Sequence, residues 1–231
     1  VASVSPSGAS SRKLAGTSYR GLLRRLFLHR LDLRGVEWSP VNLRGKRGRK
    51  GLHTKQFELA GLEGASTEFR FFLLSMITGL LSTPEYIRAS LAHVPGGHSR
   101  AIVEKLERQE VLYDRSRRFT FILTEQAARS LFLPPDAMAV QLDRLASLTR
   151  LPNVRLGVIP LNMRMPGNPL NTFTVYDDRL VTAELSTEAM VFRDPGDVRA
   201  YLEEFAAYEE LALFGGEVRG KLSEWSNAYR S

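Results

Sequence analysis

Few residues in this chain have both the type and the placing to do chemistry. Glu125 follows the apolar run Phe119 to Leu123, and Glu184 ends the run Leu180 to Ala183. A carboxylate at the end of an apolar strand can face a cleft, where burial tunes it as a general acid or base. An enzyme built on this chain would use Glu125 and Glu184 as a carboxylate pair. No nucleophile, metal cluster or matched base accompanies them, so the chain is read as a non-enzyme and the two residues as polar lining or helix N-terminal charge. Glu203, Glu204, Glu209 and Glu210 are read as the solvated side of one helix.

Gly215 to Lys221 has the glycine and lysine spacing of a phosphate-binding loop, but Leu222 stands where Ser or Thr should hold magnesium. The segment is read instead as a helix stop followed by a basic turn. His93 and His98 flank Pro95-Gly96-Gly97, His29 and His53 lie in or beside a basic arm, and with no cysteine no third ligand completes a metal site. Neither a metal nor a cofactor is expected. The densest charge is Arg44, Lys46, Arg47, Arg49 and Lys50, five cations in seven residues interspersed with glycine. Such a run can release counterions from a phosphate backbone, and the lack of interleaved aromatic residues predicts sequence-tolerant binding.

The elements that would position these groups divide by charge. Residues 1–52 hold twelve Lys and Arg against Asp32 and Glu37, whereas the other 179 of the 231 residues hold 20 basic and 23 acidic side chains. Residues 1–52 are read as a flexible, largely disordered basic leader with one short amphipathic helix between Ser18 and Leu33, and residues 53–231 as the folded domain. Zero cysteines exclude a disulfide scaffold and fit a reducing cytoplasm. The longest apolar stretch, Phe69 to Leu81, is broken by Arg70, Ser75 and Thr78, so neither a membrane span nor a membrane partner is expected.

Within the domain, Glu68 to Ser75 is apolar and fits either a strand or a buried helix end. Ser82-Thr83-Pro84-Glu85 starts a helix, and Ser99 to Tyr113 resumes helical spacing. Phe119 to Leu123 predicts a strand, Glu125 to Leu131 a short helix, and Pro134-Pro135-Asp136 a longer one with Met138, Leu142, Leu145 and Leu148 on one stripe. Val154 to Ile159, Thr172 to Tyr176 and Leu180 to Leu185 predict strands, the last two a hairpin. Asp194-Pro195 opens a helix whose seam of Val198, Tyr201, Phe205 and Tyr208 packs on the sheet or on a partner, and a final helix reaches Tyr229. The class read from this order is α+β, a small, largely antiparallel sheet with helices on one face.

One further pattern lies in the order of short motifs: Leu62-Glu63, Gly79-Leu80-Leu81-Ser82-Thr83-Pro84-Glu85-Tyr86, Leu106-Glu107-Arg108-Gln109-Glu110, Thr124-Glu125-Gln126-Ala127-Ala128, Leu151 to Pro160, Phe173-Thr174-Val175 and Ala183-Glu184. Together they resemble the C-terminal domain, of unknown biochemical function, of actinobacterial Xre-family helix-turn-helix regulators described as antitoxin-like. The resemblance implies a cytoplasmic regulatory or sensing domain of a transcriptional regulator in a toxin–antitoxin setting. It would bind a protein partner or small ligand without turnover, contact DNA through its helix-turn-helix, and could form a homodimer. On that basis Glu125, Glu184, Arg108 and Gln109 are the candidate ligand- or partner-binding residues. The chain departs from the family pattern at Thr78 and Ser82, where proline and glutamine are usual. No helix-turn-helix is legible in residues 1–52, and with Val1 at the start the expectation is a truncated, frameshifted or fragmentary member. The alternative function is nonspecific nucleic-acid binding through the arm Arg44 to Lys50.

Overall fold

The computed structural model describes residues 66–92, 99–185 and 189–231. The basic leader with its helix, the arm Arg44 to Lys50 and the four histidines all lie outside the described residues.

The ambiguous first segment is a strand, β1 (Glu68–Leu73). Its side chains alternate, with Phe69, Phe71 and Leu73 in one core and Phe72 in another, the period of two that a pleated strand imposes. β2 (Arg118–Thr124) runs parallel to β1 in a register that sets Phe69 beside Phe119 and Phe71 beside Phe121. Their rings stack with centroids 4.8 and 4.6 Å apart, so matched Phe-x-Phe runs lock the pairing. β3 (Val154–Ile159) pairs parallel with β2. On the other edge of β1 lie β4 (Phe173–Tyr176), β5 (Leu180–Glu184) and β6 (Ala189–Phe192), each antiparallel to its neighbour.

The order β3-β2-β1-β4-β5-β6 is therefore a mixed six-stranded sheet, which corrects the expectation of a largely antiparallel one. The cause is connection length. Helical crossovers separate β1 from β2 and β2 from β3 and return the chain in the same direction, whereas the stretches between β4, β5 and β6 are too short in sequence for a crossover, so these strands alternate. β6 was not legible in the sequence because Ala189-Met190-Val191-Phe192 is apolar throughout, and so short an apolar run has no period to mark it as a strand.

Among the described residues, six helices accompany the sheet: α1 (Pro84–Ser90), α2 (Ser99–Glu107), α3 (Glu125–Arg129), α4 (Pro135–Leu148), α5 (Pro195–Glu209) and α6 (Gly215–Arg230). α2 tightens into a 3-10 turn over Arg108–Tyr113. The stripe of α4 meets Val218, Leu222 and Trp225 of α6 on the Phe69 face of the sheet. The seam of α5 places Val198, Phe205 and Tyr208 against Phe72 on the opposite face. Helices thus cover both faces, a second correction; both faces of the central strands are apolar and must be dry.

Gly215 and Gly216 open α6 and do not begin a basic turn, a third correction. Gly215 takes φ 59°, the left-handed geometry that lets the chain swing from α5 into α6. Just before it, Leu213 bridges to Val158 and blunts the exposed edge of β3. Phe214 then lies on Gly157, where a methyl group would come within 2.5 Å of the ring. At the other side, the β4–β5 turn is held by Asp177, also left-handed at φ 53°, whose carboxylate accepts the amides of Thr67 and Glu68 at 3.0 Å each.

Candidate functional site

β1 is the strand where the sheet changes from parallel to antiparallel, and the crevice outside the carboxyl ends of strands at such a point is where α/β sheets bind ligands. A cavity of about 110 Å³ lies there. Its floor is the Phe69 face of the sheet, with Phe71 and Leu73 from β1 and Thr174 and Tyr176 from β4. The alternation Thr172-Phe173-Thr174-Val175-Tyr176 sends both threonines and the tyrosine to this face. The roof is the loop from Met76 to Ser82, and α1 adds Ile87 and Ser90. Lys105 of α2, Arg108 of the 3-10 turn and Glu184 at the end of β5 supply the charge.

Buried amides hold the roof. The Gln109 side chain donates to the carbonyls of Gly79 at 2.7 Å and Ser82 at 2.8 Å, and accepts from Arg144 at 2.6 Å. Gln141, fully buried on α4, accepts the Thr83 amide at 2.7 Å and donates to the Leu81 carbonyl at 3.0 Å. Thr83 caps α1 by accepting the Tyr86 amide. The Tyr86 hydroxyl accepts the Ile77 amide at 3.1 Å; burial pushes that phenol up to about 12, against the lowering effect of the amide, so it stays protonated. A loop whose backbone groups are matched one by one holds a fixed shape.

A row of hydrogen bonds crosses the sheet at the cavity's rim. Thr124 donates to the Leu74 carbonyl, Leu74 donates to the Thr172 hydroxyl, and the Glu184 amide donates to the Thr172 carbonyl. Glu125 and Glu184 stand at the two ends of this row, three strand spacings or about 14 Å apart along the sheet. The structure does not bring them together as a pair. Glu125 bonds Arg129 and accepts the Leu161 amide at 3.1 Å, and Arg129 in turn lies over the Trp225 ring, so this carboxylate fastens α3 to its surroundings. Glu184 and Arg108 line one cavity. Gln109 sits beside them with its amide engaged by backbone. Lys105 and the cluster of hydroxyls were missed from the sequence; the alternating threonines of β4 were the available signal. Among the described residues, no group of three His, Asp or Glu is placed to hold a metal, and no helix is long and apolar enough to cross a membrane.

The sequence pattern of a domain of unknown function, DUF5753, matches residues 56–224. The chain belongs to the DUF5753 family. Its matched span takes in every described element of the sheet and the whole cavity lining. No curated protein matches. Among solved structures, a phospholipase D family member, Nuc from Salmonella typhimurium, is similar at 12% identity and a TM-score of 0.40, over 70% of this chain and 90% of that one.

Proposed function

We propose that this DUF5753 domain is a non-catalytic sensing domain that binds a small ligand in the cavity at the carboxyl end of β1, as part of an antitoxin-like, Xre-family transcriptional regulator of the cytoplasm. The observation that carries the reading is the cavity itself: charged and hydroxyl groups converge over an apolar floor at the sheet's switch point, under a roof pinned by Gln109 and Gln141. Its size suits a metabolite, well short of the roughly 300–1,000 Å³ of sites for drug-sized ligands. Regulation would follow by population shift, the ligand favouring one arrangement of the domain and so altering what the attached DNA-binding segment or a protein partner engages.

The test is a thermal-melt survey of the full chain against a broad set of small polar metabolites. A true ligand raises the melting temperature by mass action. The variant Ser90→Phe, which sets a ring into the α1 wall, should abolish that rise. A ligand whose effect survives Ser90→Phe unchanged, or a set in which nothing acts, refutes the reading. The second reading, a nonspecific nucleic-acid binder, is favoured by the charge of Arg44, Lys46, Arg47, Arg49 and Lys50. It predicts duplex binding by the full chain with a steep salt dependence.

A further inference from the structure

Most of the large apolar side chains that stand out in water among the described residues lie at one end of the sheet. Met76 follows β1, Leu131 and Phe132 follow α3, Leu161 and Leu170 lie between β3 and β4, and Leu185 follows β5, each between 39% and 69% exposed. Hydrogen bonds of the rim join the segments that carry them. Glu184, next to Leu185, donates its amide to the Thr172 carbonyl, and Leu170 is two positions before Thr172. The Thr172 hydroxyl accepts from Leu74, two positions before Met76, and the Leu74 carbonyl accepts from Thr124. The Leu161 amide donates to Glu125, the residue after Thr124. Phe132 meets the Tyr86 ring edge-on at 5.9 Å, and the hydroxyl of that tyrosine accepts the Ile77 amide beside Met76. The six apolar residues therefore stand on adjacent segments, in one band across the ends of β5, β4, β1, β2 and β3.

At these exposures the band presents about 600 Å² of apolar surface. That is the top of the range for the largest patch on a monomer, about 300–600 Å². One side of a standard-size protein interface buries about 800 Å², of which about 500 Å² is apolar, so the band is large enough for one such interface. Its charges narrow the partner. Glu125 is paired with Arg129. Glu184, beside Leu185, and Arg164, in the same connection as Leu161 and Leu170, are both exposed, and neither forms an ion pair or side-chain hydrogen bond among the described residues. A surface with one acid and one base left over is complementary to itself about a two-fold axis, because acid then meets base twice. A lipid surface calls instead for cations around the apolar residues, and Glu184 opposes it. We propose that this band is the interface of a two-fold dimer of this chain, with Glu184 of each protomer against Arg164 of its partner. Met76 and Glu184 also line the cavity, so the interface adjoins the candidate ligand site, but it does not depend on what that cavity binds.

Sedimentation equilibrium of the full chain should show a monomer–dimer equilibrium at micromolar concentrations or below. The double variant Leu161→Asp with Leu170→Asp sets carboxylates into the apolar band and should weaken association by about a hundredfold or more. Both side chains stand in water in the monomer, so its circular dichroism should match the parent's. Glu184→Arg and Arg164→Glu should each associate at least about tenfold more weakly, because like charges then face each other at both symmetry-related contacts. Mixed in equal amounts, these two single variants should associate as tightly as the parent, since opposite charges are restored at both contacts. A chain that stays monomeric throughout overturns the proposal and leaves the band to a different protein or a lipid surface. A dimer indifferent to the Leu161→Asp and Leu170→Asp pair lies elsewhere on the molecule and overturns it equally. A mixture no tighter than either single variant overturns the two-fold pairing of Glu184 with Arg164.

Discussion

Replacing Gln141 with leucine removes two hydrogen bonds from the roof while nearly conserving volume. The Thr83 amide and the Leu81 carbonyl, donor at 2.7 Å and acceptor at 3.0 Å to this side chain, are both left without a partner beneath α4. Leu81 is 0% exposed and Thr83 5%, so water cannot step in without displacing packed side chains. Each orphaned buried group costs about 1–3 kcal/mol, and the added apolar burial of leucine returns about 1–2 kcal/mol. Taking the middle of each range, two orphaned groups lose about 4 kcal/mol and leucine returns about 1.5 kcal/mol, a net loss of about 2–3 kcal/mol, and with a urea slope of about 2 kcal/mol per molar the midpoint should fall by about 1–1.5 M. Urea unfolding followed by tryptophan fluorescence reads this through Trp225, which packs in the same core as the α4 stripe. Gln109→Leu removes the side-chain donor from the Gly79 and Ser82 carbonyls of the same loop, leaving Gly79 with the Ser82 amide at 3.4 Å. The double variant should therefore lose less than the sum of the two single losses. A Gln141→Leu midpoint within about 0.3 M of the parent would refute the claim that these amides fix the roof.

Three other outcomes follow from the packing and charge. Gly157→Ala drives a methyl within 2.5 Å of the Phe214 ring and disturbs the Arg155 guanidinium stacked 4.0 Å above it. Overpacking of this kind costs about 1–3 kcal/mol, a drop of about 3–10 °C by calorimetry, and Phe214→Leu in the same chain should restore part of it. The Asp177 carboxyl would be raised by burial alone, but hydrogen bonds from Arg179 and the Glu68 and Thr67 amides outweigh that and hold it at about 2. Its unfolded value is about 3.9, so its contribution is complete above that pH and disappears as pH falls toward 2. Asp177→Asn, which tolerates the left-handed backbone, should be less stable near neutrality and show a shallower loss of midpoint across that acid window; an unchanged acid slope counts against the turn anchor. Thr83→Ala removes the cap of α1 and should cost about 1 kcal/mol, seen as a melting temperature lower by about 2–4 °C.

The legible part of the site was its charge and the illegible part its company. Arg108 and Glu184 were identifiable as candidates, and the structure puts both on one cavity. Glu125, read in the same breath as Glu184, lies at the other end of the rim, since two strands separate β2 from β5. Nothing in the spacing of 59 positions between them encodes that separation; it depends on β1 and β4 inserting between their strands. Gln109, by resemblance a candidate ligand- or partner-binding residue, instead closes its amide on loop carbonyls, one of them thirty positions upstream at Gly79. Gln141 interrupts an otherwise apolar stripe, a signal that a buried partner must exist, though not which one.

Local physics set the elements. Aromatic and β-branched runs placed β2 to β5, the stripes of α4 and α5 placed the long helices, and Thr83-Pro84 and Asp194-Pro195 placed the starts of α1 and α5, because each of these preferences acts within a few residues along the chain. Strand direction, the two-sided helical cover and the cavity belong to the tertiary structure alone. A strand's sequence carries its apolar face but not which neighbour it pairs with or in what sense; that is decided when Phe69 and Phe71 find Phe119 and Phe121 in parallel register and the hairpin of β4 and β5 closes on the free edge of β1. The cavity exists because those pairings leave the carboxyl end of β1 open between a parallel and an antiparallel half, a place that no segment specifies by itself.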